Sequence, residues 1–261
     1  MNVLMIGDIV AKPGRKLVEM HLPSLIAQHK LDFVVANVEN IAHGFGVTPE
    51  TADELLRMGA DVLTSGNHIW DKKEIIEYIQ SENRLLRPAN YPKIAPGKGH
   101  VVVRNRKGIK VGVLNVQGRI FMGPSEDPFS IAQELVDQMR KETPLILVDI
   151  HGEASSEKQA MGWFLDGKVT AVCGTHTHVP TADQRILPGG TAYVTDIGMT
   201  GPYDSIIGVE KEQIIQKFLD QIPTRFEPAK ENPILQSMLI EVDENTGLAQ
   251  RIQRITVRGE D

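Results

Sequence analysis

Short apolar runs that each end in a polar side chain are the feature of this sequence that most constrains its fold. A run of about four to eight apolar residues has the length of a buried strand, and it delivers the next residue to the rim of its sheet. The polar residues that follow these runs are Asp8, Glu39, Asn40, Asn67, His68, His151, His176 and His178. The pattern predicts a sheet-based fold in which side chains from distant parts of the chain meet at one site.

Helical patterns alternate with the apolar runs over the first two-thirds of the chain. Such alternation favours parallel strands with helices across the faces of the sheet. Thr48 and Asp71 are the predicted N-caps of the second and third helices. The predicted elements are a strand at 2–8, a helix at 14–30, a strand at 32–38, a helix at 49–58, a strand at 61–65 and a helix at 71–82.

The rest of the chain adds hairpin signals to this alternation. Further predicted elements are a hairpin of His100–Arg104 and Ile109–Val116, helices at 129–142 and 155–165, strands at 144–150 and 169–173, and antiparallel strands at Thr191–Val194, Ser237–Val242 and Ala249–Val257. The mixture predicts an α/β fold, a four-layer α/β/β/α sandwich with two mixed β-sheets flanked by helices. Because candidate site residues extend from residue 8 to residue 178, we expect residues 1–261 to form a single domain.

Composition excludes several classes of protein. The net charge is −6 and no basic cluster stands out, so a duplex nucleic-acid partner is not expected. The apolar runs are too short to cross a membrane, and the N-terminus lacks the pattern of an export signal. The lone cysteine, Cys173, excludes an intramolecular disulfide. These features predict a cytoplasmic protein with no membrane association.

Two histidine-containing motifs carry the strongest chemical signals. Gly174-Thr-His-Thr-His178 places two imidazoles two residues apart, where they could approach neighbouring metal ions; two unrelated surface histidines are the alternative. In Gly66-Asn67-His68, the amide oxygen could bind a metal, and the imidazole could be a ligand or a general acid. An asparagine that caps the following helix is the alternative for this second motif.

The remaining candidates are weaker when each is considered alone. A turn or N-cap role is the alternative to metal binding for Asp8, Glu39 and Asn40, and a core histidine bonded to the backbone is the alternative for His151. Turn chemistry does not explain compatible ligands at all five strand ends. Carboxylate, amide and imidazole together favour a pair of metal ions.

The ordered set of motifs resembles the calcineurin-like metallophosphoesterase superfamily and is most similar to the bacterial YmdB-type phosphodiesterases. The resemblance covers nearly the whole chain. It rests on the ligand motifs together with segments 7–10, 37–40, 64–71 and 174–181. Two positions depart from the wider superfamily. Asp8-Ile-Val10 stands where that superfamily has Asp-x-His, and Glu39 stands where it has a bridging Asp.

The resemblance implies two divalent or trivalent transition-metal ions, with Fe and Mn as first candidates and Zn, Co and Ni as alternatives. By this resemblance the first ion would be held by Asp8, Glu39, Asn40 and His178, and the second by Glu39, Asn67, His151 and His176. Asn40 would fill the position of the missing imidazole. A hydroxide that bridges the ions would attack phosphorus, and His68 is assigned to protonating the leaving oxygen.

The resemblance favours a small phosphodiester as substrate, with 2′,3′-cyclic or 3′,5′-cyclic nucleotides as the leading candidates. The alternatives are a metal-dependent phosphomonoesterase, including a phosphoprotein phosphatase, and a signalling protein that binds nucleotide without turnover. The family also implies a homo-oligomer. The roles of His43 and of the 198–202 loop stay open at this point.

Overall fold

The computed structural model describes residues 1–259, which contain twelve strands and six helices joined by turns and loops. The strands are β1 (Asn2–Ile6), β2 (Phe33–Asn37), β3 (Val62–Thr64), β4 (His100–Arg104), β5 (Lys110–Gln117), β6 (Ile146–His151), β7 (Ala171–Thr175), β8 (Arg185–Ile186), β9 (Ala192–Val194), β10 (Gly201–Pro202), β11 (Pro233–Val242) and β12 (Ala249–Arg258). The helices are α1 (Ala11–His29), α2 (Pro49–Met58), α3 (Ile75–Ser81), α4 (Pro128–Met139), α5 (Ser155–Phe164) and α6 (Lys211–Asp220).

The strands form two mixed sheets. The first has the order β12-β11-β1-β2-β3, and β10 pairs with the beginning of β11. In this sheet β1, β2 and β3 are parallel, while β11 runs antiparallel to β1. The second sheet has the order β4-β5-β6-β7-β9-β8. Its strands β5, β6, β7 and β9 are parallel, with antiparallel strands at both edges.

Alternating side chains of the buried strands divide between layers, which explains the sandwich. In β1, Leu4 and Ile6 pack against α1, α2 and α3, whereas Val3 and Met5 face the second sheet. In the second sheet, residues such as Val148 pack against α4 and α5 on the outer face. The predicted four-layer α/β/β/α fold is therefore confirmed.

Several details differ from the sequence predictions. Helix α1 begins at Ala11 rather than residue 14, because Pro13 lies in the first turn, where a missing N–H is tolerated. Helix α3 begins at Ile75 rather than residue 71, and turns occupy the segment around Asp71, so this residue is not its N-cap. Strand β9 is parallel to β7, not part of an antiparallel C-terminal group.

The parallel strands position the functional site. Strands β1–β3 of the first sheet and β5–β7 of the second each direct their carboxyl ends to one edge of the sandwich. Open α/β sheets bind ligands beyond such strand ends. Every helix within residues 1–259 is too short or too polar to traverse a bilayer.

Candidate metal centre

The seven candidate ligands converge from both sheets at this edge. Asp8, Glu39, Asn40 and Asn67 follow β1, β2 and β3; His151 ends β6, and His176 and His178 follow β7. Their ligand atoms form two sets that share Glu39. One set joins it to His151 and His176, the other to Asp8 and His178, and within each set the atoms lie within 4.8 Å of one another. A carboxylate shared between two ligand sets has two oxygens and can contact a cation in each set.

The set around His151 has the spacing of a coordination shell. The Nε2 atom of His151 lies 3.1 Å from Glu39 Oε2, 3.1 Å from Asn67 Oδ1 and 3.0 Å from His176 Nδ1. Ligand atoms about 2.0–2.2 Å from one ion are about 3 Å from each other. These four side chains therefore fit a cation between them.

The set around Asp8 contains polar atoms that lack a partner. Among the described residues, no hydrogen bond reaches the buried Oδ1 atoms of Asp8 and Asn40. The Nε2 atom of His178 lies 3.9 Å from Asp8 Oδ1 and 3.1 Å from the Asn40 amide nitrogen. Buried oxygens without donors are unfavourable unless a cation satisfies them. This set therefore also fits a metal ion.

Gly66 leaves the space in which the two sets meet. A Cβ atom at this position would collide with the His151 imidazole and with Glu39 Oε2. Any other residue would push a side chain among the ligand atoms. The glycine of the Gly66-Asn67 motif is thus required by close approach rather than by turn conformation.

The pKa values of the cluster show how strongly its charges interact. Burial raises the pKa of Asp8 to about 6, although the His178 and His151 imidazoles oppose the shift. Burial also disfavours ionised Glu39, but the charge and hydrogen bond of His151 outweigh it and lower the pKa to about 2. His151 has its pKa raised to about 9, because Glu39 overcomes the effect of burial. Burial and the neighbouring His151 charge lower the pKa of His176 to about 3.

His68 lies beside the ligand sets and lines the same cavity as Glu39, His176 and His178. Its Nδ1 atom is 2.8 Å from Asp71 Oδ2. Because Nδ1–H is donated to this carboxylate, Nε2 is the nitrogen that can exchange a proton with a molecule bound in the cavity. Asp71, predicted to cap a helix, instead orients His68.

Comparison with known proteins assigns the chain to a family. Residues 4–255 match the family model described as YmdB-like protein. The chain belongs to the YmdB-like family. This family is part of the metallophosphoesterase superfamily, as the sequence motifs predicted, and its members are expected to bind divalent metals.

Relatives of this YmdB-like chain match it along nearly its whole length. A 2′,3′-cyclic-nucleotide 2′-phosphodiesterase from Bacillus subtilis (strain 168) is 48% identical over 257 residues, which cover 98% of this chain and 97% of the relative. The crystal structure of a hypothetical protein from Thermus thermophilus has 40% identity and a TM-score of 0.93, with both chains covered in full. The crystal structure of a novel phosphatase from Mycoplasma pneumoniae has 34% identity and a TM-score of 0.93, covering 100% of this chain and 94% of that one.

A buried acidic residue that the sequence reasoning missed orients His151 in this YmdB-like site. His151 Nδ1 lies 2.9 Å from the Thr175 hydroxyl, which in turn donates to Asp149 Oδ1 at 2.7 Å. Asp149 Oδ2 also accepts from Thr64 at 2.5 Å and from Asn37 at 3.1 Å. Because Thr175 uses its proton on Asp149, His151 donates from Nδ1 and keeps Nε2 for the ligand cluster. An acid within the apolar run 145–150 was the available sequence signal.

We expect Asp149→Asn to weaken binding of the cation beside His151 by about 10–100-fold. The new amide nitrogen would replace one of the two oxygens, and where it replaces Oδ1 it faces Thr175, which would then no longer be compelled to accept from His151. Calorimetric titration of the metal-free protein with Mn²⁺ measures the effect. Asp61→Asn is the matched control, since Asp61 accepts from the Val34 N–H at the opposite end of β3. Equal affinities of the two variants would contradict the assigned role.

The other two imidazoles are oriented from outside the ligand sets. Glu153 Oε2 lies 3.2 Å from His176 Nε2, which directs Nδ1 of that ring towards His151. His178 donates from Nδ1 to the carbonyl of Ile207 at 2.7 Å, so its Nε2 faces Asn40. Each of the three histidines is thus held by one nitrogen and presents the other to the cluster.

The loop that carries His176 and His178 has a left-handed backbone at both residues, with φ of 101° and 65°. Non-glycine residues adopt this region at a conformational cost, so the surroundings must hold the loop in place. Asp196 does so by accepting from the Thr177 N–H and hydroxyl at 3.1 and 2.8 Å. Lys158, which is 1% exposed, donates to Asp196 at 2.7 Å and to the Thr175 carbonyl at 2.6 Å.

We expect Lys158→Met to lower the free energy of unfolding by about 3–5 kcal/mol, because it leaves the Asp196 carboxylate buried without its cation. Urea denaturation of the metal-free protein measures this change. Lys110→Met provides the control, since Lys110 forms a surface ion pair with Glu142 that contributes about 1 kcal/mol or less. Unfolding of both variants at the same urea concentration would contradict the role assigned to Lys158.

The 198–202 loop and His43, whose roles the sequence left open, lie in different parts of the structure. The 198–202 loop fixes the backbone of Asp8 and of the segment that follows it, because Thr200 N–H donates to the Asp8 carbonyl at 2.8 Å and Val10 N–H donates to the Thr200 carbonyl at 2.9 Å. His43 is exposed and lines a separate cavity of about 630 Å³ between α1 and residues 227–233. That larger cavity includes none of the seven ligand candidates.

Proposed function

We propose that this protein is a dinuclear metal-dependent phosphodiesterase that hydrolyses small phosphodiesters, with 2′,3′-cyclic nucleotides as the leading substrates and 3′,5′-cyclic nucleotides as the second class. The observation that carries the proposal is the pair of ligand sets that share Glu39. The Bacillus subtilis relative, a 2′,3′-cyclic-nucleotide 2′-phosphodiesterase at 48% identity, supports the choice of substrate.

Asp8, Glu39, Asn40 and His178 would hold one ion, and Glu39, Asn67, His151 and His176 the other. When bound, two such ions supply positive charge for the phosphoryl oxygens and lower the pKa of a shared water. The side chains would fix these charges at one edge of the sandwich. Fe and Mn remain the first candidates for the ions and Zn, Co and Ni the alternatives, since mixed nitrogen and oxygen ligands suit all five metals.

His68 is the proposed general acid. Its side chain is 31% exposed and lines the cavity next to Glu39, so it is accessible to a bound ester. Asp71 holds the ring through Nδ1, which leaves Nε2–H to protonate the departing alkoxide.

A phosphomonoesterase is the second candidate, because the Mycoplasma pneumoniae structure of the same fold is described as a phosphatase. A protein that only binds nucleotide is less favoured, since it would have no use for the His68–Asp71 pair. The single domain, the cytoplasmic location and the homo-oligomer stay predictions of the sequence. The single domain has support from the ligand sets, each of which takes residues from both sheets.

The deciding experiment compares hydrolysis of bis-p-nitrophenyl phosphate and p-nitrophenyl phosphate by protein loaded with Mn²⁺ or Fe²⁺. The two compounds differ in ester class but release the same phenolate. We expect the diester to be hydrolysed with the higher kcat/KM, and 2′,3′-cyclic AMP to be hydrolysed as well. Turnover of the monoester alone would favour the phosphatase, and nucleotide binding without any turnover would favour the non-enzymatic alternative.

A further inference from the structure

The cavity in front of the ligand sets is lined by two chemically different groups of side chains. Its volume is about 390 Å³, which lies within the range of about 300–1,000 Å³ for small-molecule sites. The polar group comprises the ligand candidates Glu39, Asn40, His176 and His178 together with His68, Glu153 and Thr177. The apolar group, which we term the apolar end, comprises Phe45, Ile207, Val209, Ile214, Phe226 and Pro228. A phosphate group alone would leave the apolar end unused.

Two aromatic rings make the apolar end suitable for a flat group. The Phe45 ring lies 5.1 Å from the His68 ring between centroids, so it borders the proposed acid. The Lys217 ammonium lies 4.8 Å above the centre of the Phe226 ring and holds it from the side of α6. Rings of this kind bind planar groups by burial and offset stacking.

The apolar end is fixed relative to the ligand sets by backbone contacts. The Ile207 carbonyl accepts from His178, and Ala229 N–H donates to the Gly208 carbonyl at 3.0 Å. Glu210 N–H donates to the Glu227 carbonyl, also at 3.0 Å. The segment that carries Phe226 is therefore joined to the same turn that orients a candidate ligand. A substrate bound at the ligands would present its remainder to a wall of defined position.

We propose that the apolar end is the nucleobase subsite, an inference that rests on the proposed function. Its side chains offer no hydrogen-bonding group to the edge of a base, so recognition would come from stacking and burial. The subsite would accept adenine and guanine about equally, and purines better than pyrimidines because they bury more area. The specificity of the protein would then lie in the cyclic phosphate, and not in the identity of the base.

The test uses Mn²⁺-loaded protein with the 2′,3′-cyclic phosphates of adenosine, guanosine and cytidine, and with glycerol 1,2-cyclic phosphate, which has the same five-membered ring but no base. For the unaltered protein we expect KM values for the two purines within about threefold of each other and a higher value for cytidine. A preference of about a hundredfold for one purine would overturn the inference, because it would require groups that recognise the base edge.

Phe226→Ala is expected to raise the KM for 2′,3′-cyclic AMP about tenfold and to change its kcat by less than about twofold. The kcat/KM for the base-free ester should stay within about twofold. Phe218→Ala is the matched control, since Phe218 is on α6 and 80% exposed, away from the cavity. An unchanged KM for cyclic AMP, or an equal loss on both substrates, would overturn the subsite alone. Failure of the unaltered protein to hydrolyse any of these esters would instead overturn the proposed function.

Discussion

Glu39→Gln is expected to release both metal ions and to lower the kcat for a phosphodiester by about 10³-fold or more. Glu39 is the one residue common to both ligand sets. An amide has a single ligand oxygen and no negative charge, so it cannot bridge two cations. The ions contribute several kcal/mol of charge stabilisation in such sites, which corresponds to at least this factor in rate.

Metal analysis of the purified variants gives the direct measurement for this prediction. His178→Ala serves as a graded comparison, because it removes a ligand from one set and should leave about one ion per chain. Glu54→Gln is the matched control, since Glu54 forms a surface ion pair with Arg15 at 3.0 Å. Two ions retained by Glu39→Gln, with ordinary turnover, would refute the shared-ligand arrangement.

His68→Ala is expected to retain both ions and to lower the kcat for 2′,3′-cyclic AMP by about 10²–10⁴-fold. The alkoxide that leaves from a ribose is strongly basic and needs a proton. The p-nitrophenolate of bis-p-nitrophenyl phosphate is weakly basic and does not. The same variant should therefore hydrolyse the nitrophenyl diester with a loss of about tenfold or less.

The contrast between the two substrates separates acid catalysis from damage to the ligand sets. Asp71→Asn should reproduce the contrast in weaker form, because it removes the charge that orients His68 but keeps a side chain able to bind Nδ1. An equal loss on both substrates would assign His68 to another role. Full activity of His68→Ala on cyclic AMP would exclude it as the acid.

The layers and the strand ends of this protein were predictable because their signals are local. Apolar runs and helical spacing determine where β1–β3 and α1–α2 form, and parallel pairing then brings the residues after those strands together. The pairing of β9 and the position of α6 were less predictable. Strand β9 pairs with β7 through a connection that no turn motif specifies. Helix α6 was not predicted although Ile215, Phe218 and Leu219 recur at helical spacing, and none of its residues is buried.

The side chains that support the cluster could not be predicted because their partners are distant in the chain. Asp149 is 112 residues from Asn37, and Lys158 is 38 residues from Asp196. Their sequence signal is a charged residue within a segment that is otherwise buried, and it does not name the partner. Asp71 was assigned to a helix end because an acid before a helix commonly caps it, whereas its contact with His68 spans a turn.

The two sheets supply ligands to a common cluster, and this has a consequence for stability as well as for catalysis. Ions held there would connect the two sheets, and unfolding would have to release them. The melting temperature should therefore rise with the concentration of free metal, as mass action requires of a ligand that binds only the folded state. In a metal-starved cell the folded state would lose stability together with activity. The abundance of the protein would then fall as the metal supply falls.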